Sequence, residues 1–187
     1  MDNINIIDLN FQQVPESIGA FILEGTDGIV LIESGPHSTL PVLREQLEHK
    51  GIRLKDISHI LLTHIHLDHA GAAWAIVKES DAEVFVHPRG EKHLLDPSKL
   101  LASAKRIYQD QMDILWGDLQ PIPANKLKTV AHGEKIRAGG LHFTAWHTPG
   151  HASHHIAWQY EGNIFTGDVA GARIASGLIV PPCPPPD

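Results

Sequence analysis

A mixed α/β or α+β fold is predicted by three features of the chain. Apolar runs of strand length recur, apolar residues also recur at helical spacing, and the two patterns interleave along most of the sequence. Ile18 to Glu24 and Ile29 to Ile32 read as strands joined by the turn signal Gly25-Thr26-Asp27-Gly28, which makes a hairpin. Ser34-Gly35-Pro36 ends it. Ser38 or Thr39 is placed to cap a helix with Pro41 in its first turn, Leu40, Leu43 and Leu47 on one face and Gly51 beyond its end. Ile57 to Thr63 has the length of a buried strand, Ala70 to Glu79 reads as helix and Ala82 to Val86 as strand. After Pro97 the stretch Ser98 to Trp116 reads as one long helix. Its stripe of Leu101, Ala104, Tyr108, Met112 and Leu115 is expected to pack into the core. Pro121-Ile122-Pro123 is a linker. Strands follow at Leu127 to Val130, Glu134 to Ile136 and Leu141 to Trp146, with Gly139-Gly140 as a hairpin turn. Two more, Ile156 to Tyr160 and Ile164 to Phe165, are joined through Glu161-Gly162-Asn163.

The 187 residues suit a single domain, 1–187, with a proline-rich tail over 178–187. The formal net charge of −7 lacks the basic footprint of a general nucleic-acid binder. No apolar run reaches the ~18 residues of a membrane span. The N-terminus carries no basic, apolar secretory signal, so a cytoplasmic location is expected. The single cysteine, Cys183, excludes an internal disulfide framework and a multi-thiolate metal site, and no role is assigned to it. One number stands out: 14 histidines, in clusters.

The strongest cluster is Thr63-His64-Ile65-His66-Leu67-Asp68-His69, at the end of an apolar strand and before a helix. In extended backbone His64, His66 and Asp68 would project to one side and Ile65 and Leu67 to the other. His69 departs from that alternation, as a strand-to-helix turn permits. Two imidazoles can hold one divalent ion, and an adjacent Asp and His a second; neutral imidazole with carboxylate suits zinc, manganese or iron. A second cluster, His147-Thr148-Pro149-Gly150-His151-Ala152-Ser153-His154-His155, has a Pro-Gly turn just before His151. The third piece is Phe165-Thr166-Gly167-Asp168, an acid directly after a short apolar strand, where a carboxylate can bridge two metals.

In this order the three pieces resemble the metallo-β-lactamase superfamily, whose pattern is H-x-H-x-D-H, then Gly-His, then Gly-Asp, then a final histidine. The resemblance covers Ile18 to Asp168 and includes the opening hairpin and the Ser34-Gly35 turn. It implies an αβ/βα sandwich with its C-terminal elements truncated, and a metal-dependent hydrolase acting on a small ester, thioester, lactone or similar substrate. Carried over by position, His64, His66 and His151 would bind a first metal and Asp68 and His69 a second, with Asp168 bridging. Two zinc ions are implied, with iron or manganese as alternatives. The nucleophile would be a metal-bound hydroxide oriented by Asp68. The alternatives are an oxidoreductase like the persulfide dioxygenases, with one iron on His64, His151 and Asp168, or an inactive metal-binding fragment needing a partner.

Two departures stand beside the resemblance. No histidine follows Asp168, so the chain ends before the family's last metal ligand, and a second copy or a partner chain is expected over the missing part. Glu33 stands where many relatives have Asp before the Ser/Thr-Gly turn; that acid supports the site from behind. His37, His49, His59, His87, His93, His132, His142 and His147 are expected to be structural or on the surface. His154 and His155 follow the proposed ligand; a structural role is the leading expectation for them, and support of the ligands or contact with substrate by one of them is the alternative. Tyr108 and Trp116 are expected in the core or on the surface, with the lining of a pocket as the alternative.

Overall fold

The computed structural model describes residues 4–173 and 177–180. The expectations for Cys183 and for 181–187 of the proline-rich tail lie outside the described residues. Two sheets form the frame. The first has six strands in the spatial order of the chain: β1 (Ile4–Asp8), β2 (Gly19–Gly25), β3 (Gly28–Ile32), β4 (Ile57–Leu61), β5 (Glu83–Val86) and β6 (Leu127–Thr129). β1 to β3 pair antiparallel and β3 to β6 parallel. The second sheet is an antiparallel meander of β7 (Glu134–Ala138), β8 (Leu141–His147), β9 (Ile156–Tyr160) and β10 (Asn163–Phe165). β11 (Ala172–Arg173) and β12 (Ile179–Val180) form a short separate ribbon, which brings the first residues of the expected tail into regular structure.

The period of two along each strand divides the core. From β3 to β5, Leu31, Ile60 and Val84 turn to one side and pack on Leu43 and Leu47 of α1 (Leu40–Glu48) and Ile76 of α3 (Ala73–Ser80). Val30, Ile32, Leu61 and Phe85 turn to the other and meet Phe143, Ile156, Trp158 and Phe165 of the second sheet. Trp158 is fully buried, and its Nε1 donates to the carbonyl of Leu62 at 3.0 Å. A buried side chain of that size contributes about 3–5 kcal/mol, and here it fixes the chain one residue before Thr63. No helix among the described residues is long and apolar enough to cross a membrane.

The structure corrects several readings. The helix expected over 70–79 is broken into α2 (Leu67–Ala70) and α3. At the break a Cβ on Gly71 would stand 2.9 Å from Pro36 Cα, and Ala72 N donates to Gly35 O at 2.9 Å, so the motif is pinned to the loop after β3. The helix expected over 98–116 is α5 (Ser98–Tyr108) and α6 (Met112–Leu115), parted at Gln109, whose φ is +48°. The turn lets Tyr108 meet Trp116 edge to face at 5.0 Å. Neither Ser38 nor Thr39 caps α1: Ser38 Oγ donates to Leu115 O at 2.6 Å and Thr39 Oγ1 to Pro36 O at 3.0 Å. β1 and α4 (Pro88–Leu95) were not anticipated. β1 is an edge strand with Ile6 exposed, which blurs its alternation. α4 is capped by an imidazole, His87 Nδ1 accepting from Arg89 N at 3.0 Å, and holds a glycine at position 90.

Candidate metal centre

β4 ends at Leu61 and α2 begins at Leu67, so the five residues between them are irregular and can aim side chains independently. The extended alternation expected through Asp68 stops short: Asp68 lies in the first turn of α2. His64, His66 and His151 nevertheless converge, their ligand atoms lying within 4.8 Å of one another. His151 Nε2 is 3.0 Å from His66 Nδ1. A second group, also within 4.8 Å, is His64, His69 and Asp168. Asp168 reaches both: Oδ1 is 3.1 Å from His69 Nε2 and Oδ2 is 3.4 Å from His151 Nε2. Asp68 stands beside the second group, its Oδ2 3.4 Å from His69 Nε2.

The scaffold behind these groups is polar, buried and tied from several sides. Thr63 Oγ1 donates to Glu33 Oε1 and lies 3.0 Å from His64 Nδ1. Glu33 Oε1 is 3.2 Å from His69 Nδ1. Ser34 donates to the His69 carbonyl from N at 2.8 Å and from Oγ at 2.9 Å. Ile156 N donates to Thr63 O at 2.7 Å, which joins the second sheet to the motif. Gly167 has φ +48°, and a Cβ there would stand 2.5 Å from Thr63 Oγ1 and 2.7 Å from His155 Nε2. The Gly of Gly-Asp thus lets the backbone pass close enough for Asp168 to reach the histidines.

Charge is arranged around the same atoms. Burial, with the other histidines adding to it, pushes the His64 pKa far down. Burial likewise lowers His66 to about 4, against the pull of Asp68. These rings are neutral imidazoles near pH 7, the form that binds a metal. Burial opposes a charge on His69, but Glu33, Asp168 and Asp68 overcome it and hold its pKa well above the ordinary value. Asp168 is held below the usual carboxylate range despite the cost of burial, chiefly by the hydrogen bond from His69.

The donor set fits divalent metal on the structure's own terms. His64 Nε2 is buried with no hydrogen-bond partner among the described residues. A buried nitrogen left so costs about 1–3 kcal/mol, and coordination would satisfy it. The carboxylates of Glu33, Asp68 and Asp168 all face His69, and a divalent cation could take over the charge balance that the protonated ring supplies once the ring gives up its proton to bind.

Most of the chain matches the same picture. The model of the Metallo-beta-lactamase superfamily matches residues 15–181. The chain belongs to that superfamily. It is 28% identical over 176 residues to the metallo-beta-lactamase fold-containing protein ST1585 of Sulfurisphaera tokodaii, covering 92% of this chain and 64% of that one. It is 30% identical over 129 residues to the hydroxyacylglutathione hydrolase GloC of Haemophilus influenzae, covering 68% and 55%. Among solved structures, the archaeal superfamily protein ST1585 from Sulfolobus tokodaii superposes with a TM-score of 0.73 at 25% identity, over 97% of this chain and 68% of that one. A subclass B3 metallo-beta-lactamase from a soil metagenome library gives 0.64 at 28% identity, over 85% and 55%. The chain thus spans between about two fifths and two thirds of the length of the curated relatives it matches.

Other histidines fall into distinct roles. The ring of His155 lies 5.0 Å from that of His64 and that of His154 6.2 Å, so both back the ligand group. His155 Nδ1 is held by Thr148 Oγ1 at 2.9 Å. The rings of His87 and His147 lie 4.1 Å apart, tilted by 44°, outside both ligand groups, and His147 Nε2 is 2.9 Å from Val130 O. Burial, then His147, lowers the His87 pKa to about 4, which suits a structural ring. Tyr108 and Trp116 pack on a small buried cluster of Leu67, Ala104 and Leu119, and they also border a cavity shared with His66, Asp68, His151 and Asp168, which is the pocket-lining alternative. Sequence offered one signal for that: Ala104 and Tyr108 share a helix face, but the same stripe serves core packing equally well.

Proposed function

We propose that the chain is the metal-binding part of a hydrolase that cleaves small esters, thioesters or lactones with two divalent ions, zinc by preference. The observation that carries this reading is the convergence of His64, His66 and His151 beside Asp168, whose two oxygens face His69 and His151 separately. Bound there, the ions would supply Lewis acidity, lowering the pKa of a coordinated water from 15.7 toward about 7 and polarising the substrate oxygen. His64, His66 and His151 would hold the first ion, and His69 with Asp168 and Asp68 the second. Asp168 is placed to span the two because each of its oxygens already addresses a different group. Asp68 lines the cavity, where it would orient a water by accepting its hydrogen bond. Glu33 and Thr63 hold His69 and His64 in place from behind. The hydroxyacylglutathione hydrolases among the relatives support a thioester or ester substrate.

The test combines elemental analysis of the purified chain with a panel of esters, thioesters and lactones. Two zinc ions per chain are expected, with hydrolysis of at least one acyl compound that chelation abolishes and added zinc restores. A single tightly held iron with oxygen consumption, or full metal loading without any hydrolysis, would overturn the reading.

A further inference from the structure

We infer that the cavity over the metal-ligating cluster selects a neutral, apolar acyl group and rejects one carrying a second carboxylate. This rests on the hydrolase reading and names its substrate class. The cavity has a volume of about 450 Å³. Its floor is the ligand cluster, and its wall comes from Leu100, Ala104, Ile107 and Tyr108 of α5, with Ser103 as a polar member and Trp116 beyond. Positions 100, 104, 107 and 108 fall on one face of a helix. Phe11 stacks on Trp116 at 5.5 Å and Tyr108 meets it edge-on, so the aromatic part of the wall is braced from behind.

Charge decides the selectivity. Among the described residues no Lys or Arg lines this cavity. Of the cations on the helix, Lys105 faces a different groove of about 850 Å³ that contains no ligand cluster, and Arg106 lies outside the lining, its Nη2 3.4 Å from Ser103 Oγ. Against Leu100, Ala104 and Ile107 a carboxylate would lose water without a charged partner; the hydroxyls of Ser103 and Tyr108 are the only neutral donors that α5 adds to the lining, and the chain's net charge of −7 opposes a further anion. An alkyl chain meets the opposite situation, because Ala104 is small and leaves room in an apolar wall. Hydrolysis adds water across the acyl C–O or C–S bond and releases the acid with its alcohol or thiol. Only the acyl half needs to enter this space.

The test uses the metal-loaded full chain and four p-nitrophenyl esters sharing one leaving group: acetyl, butanoyl, hexanoyl and the ω-carboxylate adipoyl. Butanoyl is expected to exceed acetyl about tenfold in kcat/KM, two methylenes being buried, and hexanoyl to exceed adipoyl at least tenfold. Ala104→Phe, which fills the cavity, is expected to bring the hexanoyl-to-acetyl ratio toward unity with metal content unchanged. Ile107→Lys, at a position 55% exposed and so tolerant of charge, is expected to raise adipoyl relative to hexanoyl about tenfold. Calorimetric titration with hexanamide and adipamic acid reads the same preference without turnover. Equal handling of hexanoyl and adipoyl compounds in both assays, or ratios that neither substitution moves, would overturn the inference. Preferential binding of hexanamide with no ester hydrolysed would sustain the inference and remove only the hydrolase reading.

Discussion

The floor and the wall of one cavity are built on different physical terms. The floor is polar and cross-tied: Asp68 and Asp168 face the cavity a third exposed, His64 and Glu33 lie buried behind them, and hydrogen bonds through Thr63, Ser34 and Asp168 link the group. The wall is apolar and half open, with Ile107 exposed and Tyr108 partly so, on a helix that stops at a strained turn. Coordination tolerates errors of only a few tenths of an ångström, so the floor must be cross-braced. An apolar wall has no such demand, because dispersion and burial are not directional.

The largest expected effects test the floor. His66→Ala and Asp168→Ala should each lose metal affinity by well over ~100-fold and abolish turnover of every ester alike. His93→Ala, on α4 and outside both ligand groups, should do neither. Elemental analysis after dialysis, read beside ester turnover, checks all three. Equal metal content in the three variants would collapse the distinction between floor and wall. Chelation of the native chain should lower Tm by roughly 5–10 °C relative to protein with metal at about 100 times its Kd, since that ligation adds about 2.7 kcal/mol.

Glu33→Gln probes one layer further back. The change keeps the side-chain length and removes the charge that faces His69 Nδ1 at 3.2 Å. Metal affinity should weaken about 10- to 100-fold, the usual effect of losing a group that orients a ligand. The hexanoyl-to-acetyl ratio should stay as it was, because the wall is untouched. A competition titration with a chromophoric chelator measures the first and the ester pair the second. An altered ratio at unchanged metal affinity would place Glu33 in the wrong half of the site.

The same contrast explains what was legible in the sequence. Chemistry-bearing residue types at fixed spacing are rare, so His64, His66, Asp68 and His69 could be singled out, and Gly150-His151 and Gly167-Asp168 gained weight in their company. Strand positions were legible for a related reason. The alternation in β3, β4 and β5 that divides Leu31 from Ile32 and Ile60 from Leu61 is forced by two packed faces. The wall was not legible, because Leu100, Ala104 and Tyr108 make a stripe that would look identical in a core helix. The breaks at Gly71 and Gln109 were hidden because their causes are tertiary: the approach of Pro36 to Gly71, and the packing of Trp116 on Phe11 and Tyr108. α4 was hidden because its cap is a histidine rather than Ser, Thr, Asp or Asn.

The smallest expected effect lies at the edge of the wall, and it would come as a gain. Gln109 adopts φ +48° and ψ −118°, a region that glycine enters freely and a side chain does not. Its amide still donates to Lys105 O, so the backbone hydrogen bonding asks for no change. Relief of the left-handed strain is worth about 1–3 kcal/mol. The extra freedom of glycine in the unfolded chain costs about 0.5–1 kcal/mol. Gln109→Gly should therefore stabilise the chain by about 1 kcal/mol and raise Tm by roughly 2–4 °C, with metal content and the hexanoyl-to-acetyl ratio both unchanged. Thermal unfolding of the metal-loaded variant beside the native chain reads the shift. A lower Tm would mean that the turn between α5 and α6 is not strained, and that the wall owes its break to Gln109 itself rather than to the aromatic packing beyond it.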